Sequence, residues 1–386
     1  MQIRKQLFLE LLKSAYMQRW NDKLRPLELV ELDKQAHKMI IAYFLGKFHE
    51  QEPGFSWRVI IEGGLFEFLQ RIVVTDLKPQ VFEKIKNDRD KYAALNQWVY
   101  TSLESTLAPL GKDFQQSFRD YFQPLEPDLN RRILNAAHFF ATQWEFDIIA
   151  RANPTDYELD DIKRDLQNKQ VLHNQLASMR ILSDHVRFQK FINLCGQLRF
   201  QIRWSRIHRV PRTSVLGHML FVAIISYLFS RSVDAPDRQA ANNYFTGLFH
   251  DLPEALTRDI ISPVKRSVPG LDHMIKAYEH EEMQKVYQLL PDDPRWQKEL
   301  ALFTEHEFED VSENGEILRD GQLVQAADKF AAFIEAYEAI RNGSPSQELK
   351  DALLGIRQGF GENKSRAGVD FKSLYADFEP LFPVAP

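Results

Sequence analysis

The stretch Gly247-Leu-Phe-His-Asp-Leu-Pro-Glu254 sets an imidazole beside a carboxylate inside an otherwise apolar run, with a second carboxylate four residues after the histidine. Four residues is about one helical turn, so His250 and Glu254 can share a face. His250-Asp251 is a mixed nitrogen and oxygen ligand pair for a divalent metal, and Glu254 is placed to handle a water on that metal. A lone His-Asp pair also arises as a surface or capping feature, so the rest of the C-terminal half decides its weight. His218 lies early in the apolar run Leu216-Gly-His-Met-Leu-Phe-Val-Ala223. Asp328 lies in Leu323-Val-Gln-Ala-Ala-Asp-Lys-Phe-Ala-Ala-Phe333. A carboxylate among Ala and Phe is costly to bury unless it is paired or binds a cation. Two histidines and two aspartates from three helices would form a nitrogen and oxygen cage. Such a cage suits Mn, Fe, Co, Ni or Zn better than Mg or Ca, which prefer all-oxygen shells.

The elements that must position these residues read as helices. Amphipathic or buried helical periodicity covers 5–16, 34–48, 62–74, 129–150, 175–200, 214–231, 239–256, 273–290 and 321–341. Pro291 and the pair Asn342-Gly343 supply stops. Alternating strands with hairpin turns are scarce, so the class is all-α. The polar segment Asn153–Gln170 is the best boundary. It divides the chain into 1–155, a connector at 156–189, and 190–386. At 386 residues, 44% of them apolar, two domains with sizeable cores are the natural expectation. The single cysteine, Cys195, excludes an intrachain disulfide and a cysteine metal knuckle, and its apolar neighbours mark it as a small buried residue. The N-terminus lacks the pattern of a signal peptide, and no apolar run approaches the roughly 20 residues of a spanning helix. These features point to a soluble, cytoplasmic protein with no membrane partner. With a net charge of -5 and no basic run interleaved with aromatics, no nucleic-acid partner is expected.

The two halves resemble one another. Gly64–Val81 aligns without a gap on Gly247–Val264 at an offset of 183, sharing Gly, Leu, Phe, Leu, Asp and Val. Arg19-Trp20 matches Arg203-Trp204 at 184, His37 matches His218 at 181, and Ala136-Ala-His138 matches Ala326-Ala-Asp328 at 190. Collinear matches that include tryptophan indicate an old duplication.

The set His218, His250-Asp251 and Asp328 resembles the H…HD…D signature of the HD-domain metal-dependent phosphohydrolases. Arg203-Trp204 before it, with Glu254, Thr257-Arg-Asp259 and Pro263-Val-Lys265 after, resembles the 5'-deoxynucleotidase branch. The resemblance covers roughly residues 190–345. One departure is Gly217, where that branch usually carries Glu. The resemblance implies that His218, His250, Asp251 and Asp328 hold one divalent transition metal. It implies that Glu254 and Asp259 orient water or pass protons, and that Arg203 binds phosphate, for which a planar fork of donors is suited. Lys265 is a further phosphate contact, and Trp204 a packing surface for sugar or base. In the N-terminal half, Glu67-Phe68 and His138 stand at the ligand positions and Arg71 at that of Glu254, while Asp76 is kept. That half is expected to be a degenerate HD-like repeat without activity, a structural partner above all, with a nucleotide-binding sensor as the alternative.

The expected molecule is thus a pair of tandem HD-like helical bundles, the second catalytic, in a chain compatible with a homodimer. Its expected reaction is hydrolysis of a phosphomonoester, foremost a nucleoside 5'-monophosphate, by a metal-activated water. Two alternatives stand: a phosphodiesterase or triphosphohydrolase acting on a related nucleotide, and a nucleotide- or metal-responsive binding module with vestigial hydrolysis.

Overall fold

The computed structural model describes all residues except 76, 124–125, 259–267, 345, 361–367 and 382–386. The first half holds α1 (Lys5–Leu12), α2 (Glu31–Lys47), α3 (Trp57–Val74), α4 (Pro79–Lys86), α5 (Arg89–Leu107), α6 (Lys112–Tyr121) and α7 (Leu129–Ala152). Two helices follow, α8 (Leu159–His173) and α9 (Ala177–Asp184). The second half holds α10 (Val186–Gln197), α11 (Val215–Ser232), α12 (Asp237–Phe249), α13 (Glu254–Thr257), α14 (Leu271–Tyr287) and α15 (Pro294–Thr304). A hairpin of β1 (Val311–Glu313) and β2 (Glu316–Arg319) then leads to α16 (Gly321–Arg341), α17 (Gln347–Phe360) and α18 (Phe371–Ala376). The all-α class is observed, with that antiparallel hairpin as the sheet among the described residues.

The local chemistry explains the helix starts that matter here. Ser214 accepts the Gly217 N–H at 2.9 Å and opens α11, while Asp320 accepts the Leu323 N–H at 2.8 Å and opens α16. The periodic region read as one helix over 175–200 is two, divided at His185, whose side chain accepts the Phe188 N–H and caps α10. The polar segment after Asn153 is itself helical, and α8 and α9 bury Leu166, Met179 and Leu182. Cys195 is fully buried, and burial pushes its thiol up. Helix α11 corrects the reading of apolar run lengths. Val215–Ser232 has a mean hydropathy of 1.5 and is long enough to span a membrane, yet 89% of it is buried inside the protein, which makes it the core helix.

One core joins the two halves. Phe8 of α1 packs edge-on against Phe330 at 5.3 Å and Phe221 at 6.2 Å. Helices α2 and α11 cross at Gly217, where a Cβ would lie 2.8 Å from Asp33 Oδ1 and 2.9 Å from a Leu32 methyl. Asp33 Oδ1 in turn accepts the Ser214 hydroxyl at 2.5 Å. A glutamate at 217 has no room, because a carboxylate from the first half already fills the place.

Several local arrangements occur twice. Antiparallel bridges join Gln18 to Val30 and Ile202 to Ser214. Trp20 and Trp204 both take positive φ, 54° and 58°, and so do Thr75 and Arg258, 41° and 67°. Thr75 N–H bonds the Arg71 carbonyl at 2.9 Å, as Arg258 N–H bonds that of Glu254 at 2.8 Å. Lys34 N–H bonds the Val30 carbonyl, as His218 N–H bonds that of Ser214. These equivalences correct one pairing. Lys34, not His37, stands at the His218 position, while His37 lies about a turn further on, its Nε2 donating to the Ile192 carbonyl and its Nδ1 accepting from Arg199. A slip of three residues is nearly one helical turn, so the apolar pattern of α2 fits either register.

Candidate metal centre

His218 is fully buried in the first turn of α11. His250 is the residue at which α12 ends, and its Nδ1 sits 2.9 Å from the Gly247 carbonyl, the contact that favours a proton on Nδ1 and leaves Nε2 as the ligating atom. Gly247 allows the approach. A Cβ there would lie 2.9 Å from both the Cα and the N of Ala223 on α11, rigid backbone that cannot give way. The ligating atoms of His218, His250 and Asp251 all fall within 4.8 Å of one another. Asp251 Oδ2 is 3.2 Å from His250 Nε2 and 3.9 Å from His218 Nε2. Asp328, buried on α16, joins through His218, whose Nε2 is 3.1 Å from Asp328 Oδ1. The predicted ligands from three helices are therefore brought together.

The donor set fits a divalent cation. His250 Nε2 is buried without an aligned hydrogen bond although it faces Asp251. Burial penalises the charge on Asp251, but the imidazoles of His250 and His218 and the Arg203 guanidinium outweigh it and keep the carboxyl well below its ordinary range. Burial likewise opposes the ionised form of Asp328, and Lys329 with the two histidines holds it down. Lys329 Nζ lies 2.7 Å from Asp328 Oδ2. Burial disfavours His250 as an imidazolium, yet Asp251 and Asp328 draw its pKa up to about 9. Carboxylates that hold a proton on a buried imidazole provide the negative field that a bound cation would take over.

Arg203 lies at the rim of this group, with Nη1 3.4 Å from Asp251 Oδ2 and Nε 3.5 Å from Glu335 Oε2. The Trp204 indole N–H donates to Glu335 Oε2 at 2.9 Å, so the edge of that ring is committed to the protein. Glu254 opens α13, half-buried, and its backbone carbonyl accepts from Gln201 Nε2 at 2.9 Å. Asp259 and Lys265 lie outside the described residues.

Two groups escaped the sequence reading. Glu335 is 1% exposed and gathers Trp204, Thr213 at 2.8 Å and Arg203, with its Oε1 3.5 Å from His218 Nδ1. Burial raises its carboxyl, but Arg209, Arg203 and His218 hold it well below the usual carboxylate range. A carboxylate behind a metal-ligating histidine orients the ring and fixes its proton. Its signal was legible: it stands seven residues, two turns, after Asp328 on the same apolar helix. The second is Glu307, before the hairpin. Burial raises its carboxyl, and it lies close enough to His250 and Asp251 to feel both charges. Nothing in the local pattern distinguishes it from the other acids of Glu305–Asp310.

The comparisons agree with this geometry. The family model described as HD domain matches residues 195–357. By this match residues 195–357 are an HD domain. Curated relatives of this HD domain include the 5'-deoxynucleotidases of Yersinia pestis (strain Pestoides F) and Yersinia pseudotuberculosis serotype O:3 (strain YPIII). Each is 24% identical over 176 residues, which span 42% of this chain and 82% of the relative. The HD-domain match takes in each of the four ligand positions and Arg203.

Proposed function

We propose that the HD domain is a metal-dependent phosphohydrolase that removes the 5'-phosphate of nucleoside monophosphates, deoxynucleotides foremost. The observation that carries the reading is the closure of His218, His250 and Asp251 to within 4.8 Å, with Arg203 seated on the same aspartate. His218, His250, Asp251 and Asp328 would hold the metal, which when bound lowers the pKa of a water toward neutrality and offsets charge on the phosphoryl oxygens. Arg203, already oriented by Asp251 and Glu335, presents its fork to a phosphate oxygen. Glu254, which follows His250 across the turn between α12 and α13, would be the base that accepts a proton. Glu335 holds His218 in orientation. The curated relatives, named 5'-deoxynucleotidases, support the substrate class.

The N-terminal half is read as a degenerate copy of this domain. Lys34, Glu67, Phe68 and His138 stand where the HD domain has His218, His250, Asp251 and Asp328. His37, Glu67 and His138 make a poor metal cage. His37 is displaced by a turn, and ammonium groups press on the other two: Lys34 Nζ is 2.5 Å from His138 Nδ1, and Lys38 pairs with Glu67.

The test is elemental analysis of the purified chain and of Asp251→Ala, followed by phosphate release from deoxynucleoside monophosphates with and without Mn or Co. About one transition metal per chain, lost in the variant, with metal-dependent phosphate release is the expected result. Equal metal in both proteins and no release would sink the reading.

A further inference from the structure

The degenerate half keeps the frame of a phosphate site while reversing its charge. Lys34 and Lys38 are fully buried. Lys34 occupies the first ligand position, yet its contact is the imidazole of His138, another base. Among the described residues no carboxylate oxygen comes within salt-bridge distance, 4.0 Å, of its Nζ. A buried ammonium with no carboxylate in contact is costly, and the unfavourable environment shows in the amine: burial, Arg19 and Lys38 outweigh the attraction of Glu31 and Glu145 and hold it well below its ordinary pKa. An anion would relieve it.

The rest of the pocket suits that anion. Glu67, the carboxylate facing it, is neutralised by Lys38 and accepts the Tyr121 hydroxyl at 2.6 Å. Glu31 and Glu145 are both engaged by Arg19, and Arg199 also holds Glu145. Arg71 replaces the water-handling Glu254 and is part-exposed, its Nε 3.5 Å from Glu31 and its Nη1 donating to the Thr75 carbonyl. His138 itself is exposed, so the cluster opens to solvent. Lys86 lies near enough to act on Glu67 and His138. Six basic side chains, Lys34, Lys38, Lys86, Arg19, Arg71 and Arg199, thus surround three carboxylates already engaged.

We propose that this N-terminal cluster binds the phosphate group of a phosphomonoester without hydrolysing it, the Lys34 and Lys38 ammonium groups standing where the HD domain would place a metal. Phe68 in place of Asp251 removes the metal, and Arg71 in place of Glu254 removes the base, so the ligand is held and not turned over. The inference rests on the reading of this half as a degenerate copy, and it is independent of whether the HD domain hydrolyses anything.

The experiment is equilibrium dialysis on the full chain carrying Asp251→Ala, in chelator, with deoxyadenosine 5'-monophosphate, inorganic phosphate and deoxyadenosine as probes. Expected is one site per chain for the nucleotide, no binding of deoxyadenosine, and a loss of roughly tenfold or more in affinity on adding Lys34→Met. Adding Arg203→Ala should leave that site intact, which separates it from the HD domain. Nucleotide binding tighter than phosphate makes a nucleotide the ligand; equal binding makes it free phosphate. Where Lys34→Met fails to fold, Arg71→Ala at the open side serves, with the same loss expected. Absence of binding, or binding indifferent to both substitutions in proteins that melt normally, overturns the proposal.

Discussion

His218 shows how much of a metal ligand's behaviour lies behind it. Its Nδ1 faces Glu335, which is buried and held ionised by two arginines, so the ring has one favoured orientation. Glu335→Gln keeps the volume and removes the charge, and metal affinity is expected to fall about 10–100-fold while the fold persists. Competition titration with a chromogenic chelator reads this directly, and unchanged affinity would make Glu335 a mere hydrogen-bond anchor for Trp204. Asp328→Ala is expected to abolish phosphate release, whereas His138→Ala in the N-terminal half should retain it; matching losses would mean that the halves are not asymmetric. The four ligands were legible because each is a polar residue in an apolar run, an arrangement that burial makes expensive unless it serves a purpose. Lys34 was not legible, because helical periodicity tolerates a shift of three residues and a histidine nearby offered the more familiar match. Glu307 was hidden among neighbouring acids, since proximity to His250 depends on how the chain returns before α16.

At the scale of elements, helix type was readable from periodicity, but junctions were not. The hairpin of β1 and β2 is seven residues of paired strand around Asn314-Gly315, too short to show an alternation that stands out. The break at His185 depends on a side-chain cap that leaves the apolar period intact. The approach of α12 to α11 is the element-level feature on which the site depends. With Ala223 backbone 2.9 Å from the Cβ that Gly247 lacks, Gly247→Ala must push the helices apart. The expected cost is roughly 1–3 kcal/mol of stability, as overpacking of a close contact gives. Because His218 and His250 lie on the two helices being separated, metal affinity should fall with it. Melting with and without saturating metal checks both, and a variant as stable and as metal-avid as the parent would show that the crossing has slack. Gly217 is the complementary case: the missing glutamate of the family pattern reads as a defect in the sequence and as a fitted contact with Asp33 in three dimensions.

For the whole molecule, the two halves share an ion network as well as a core. Arg199, just after α10, donates to Glu145 of α7 at 3.0 Å, and Glu145 also accepts from Arg19 and from Trp20. Arg19 bonds Glu31 at 2.7 Å. Burial raises the Glu31 carboxyl, but Arg19, Arg71 and Lys34 overcome it and lower its pKa from 4.5 to about 2. Since the folded value is depressed, the unfolded chain binds protons more readily, and the stabilisation is present above pH 4.5 and lost as pH falls toward 2. The displacement corresponds to on the order of 3 kcal/mol. Glu145 shifts in the same direction, with Arg19 and Arg199 outweighing its burial. Because Arg199 and Glu145 belong to opposite halves, acid should weaken the joint between them together with the first half, and the chain should melt in one transition whose midpoint drops steeply below pH 4.5. Scanning calorimetry across that window tests it. In Glu31→Gln the drop should be shallower, because the carboxylate that takes up the proton is gone; an identical acid slope in parent and variant would place the proton uptake elsewhere. Two independent transitions at neutral pH would show that the shared core and the Arg199–Glu145 pair do not couple the halves.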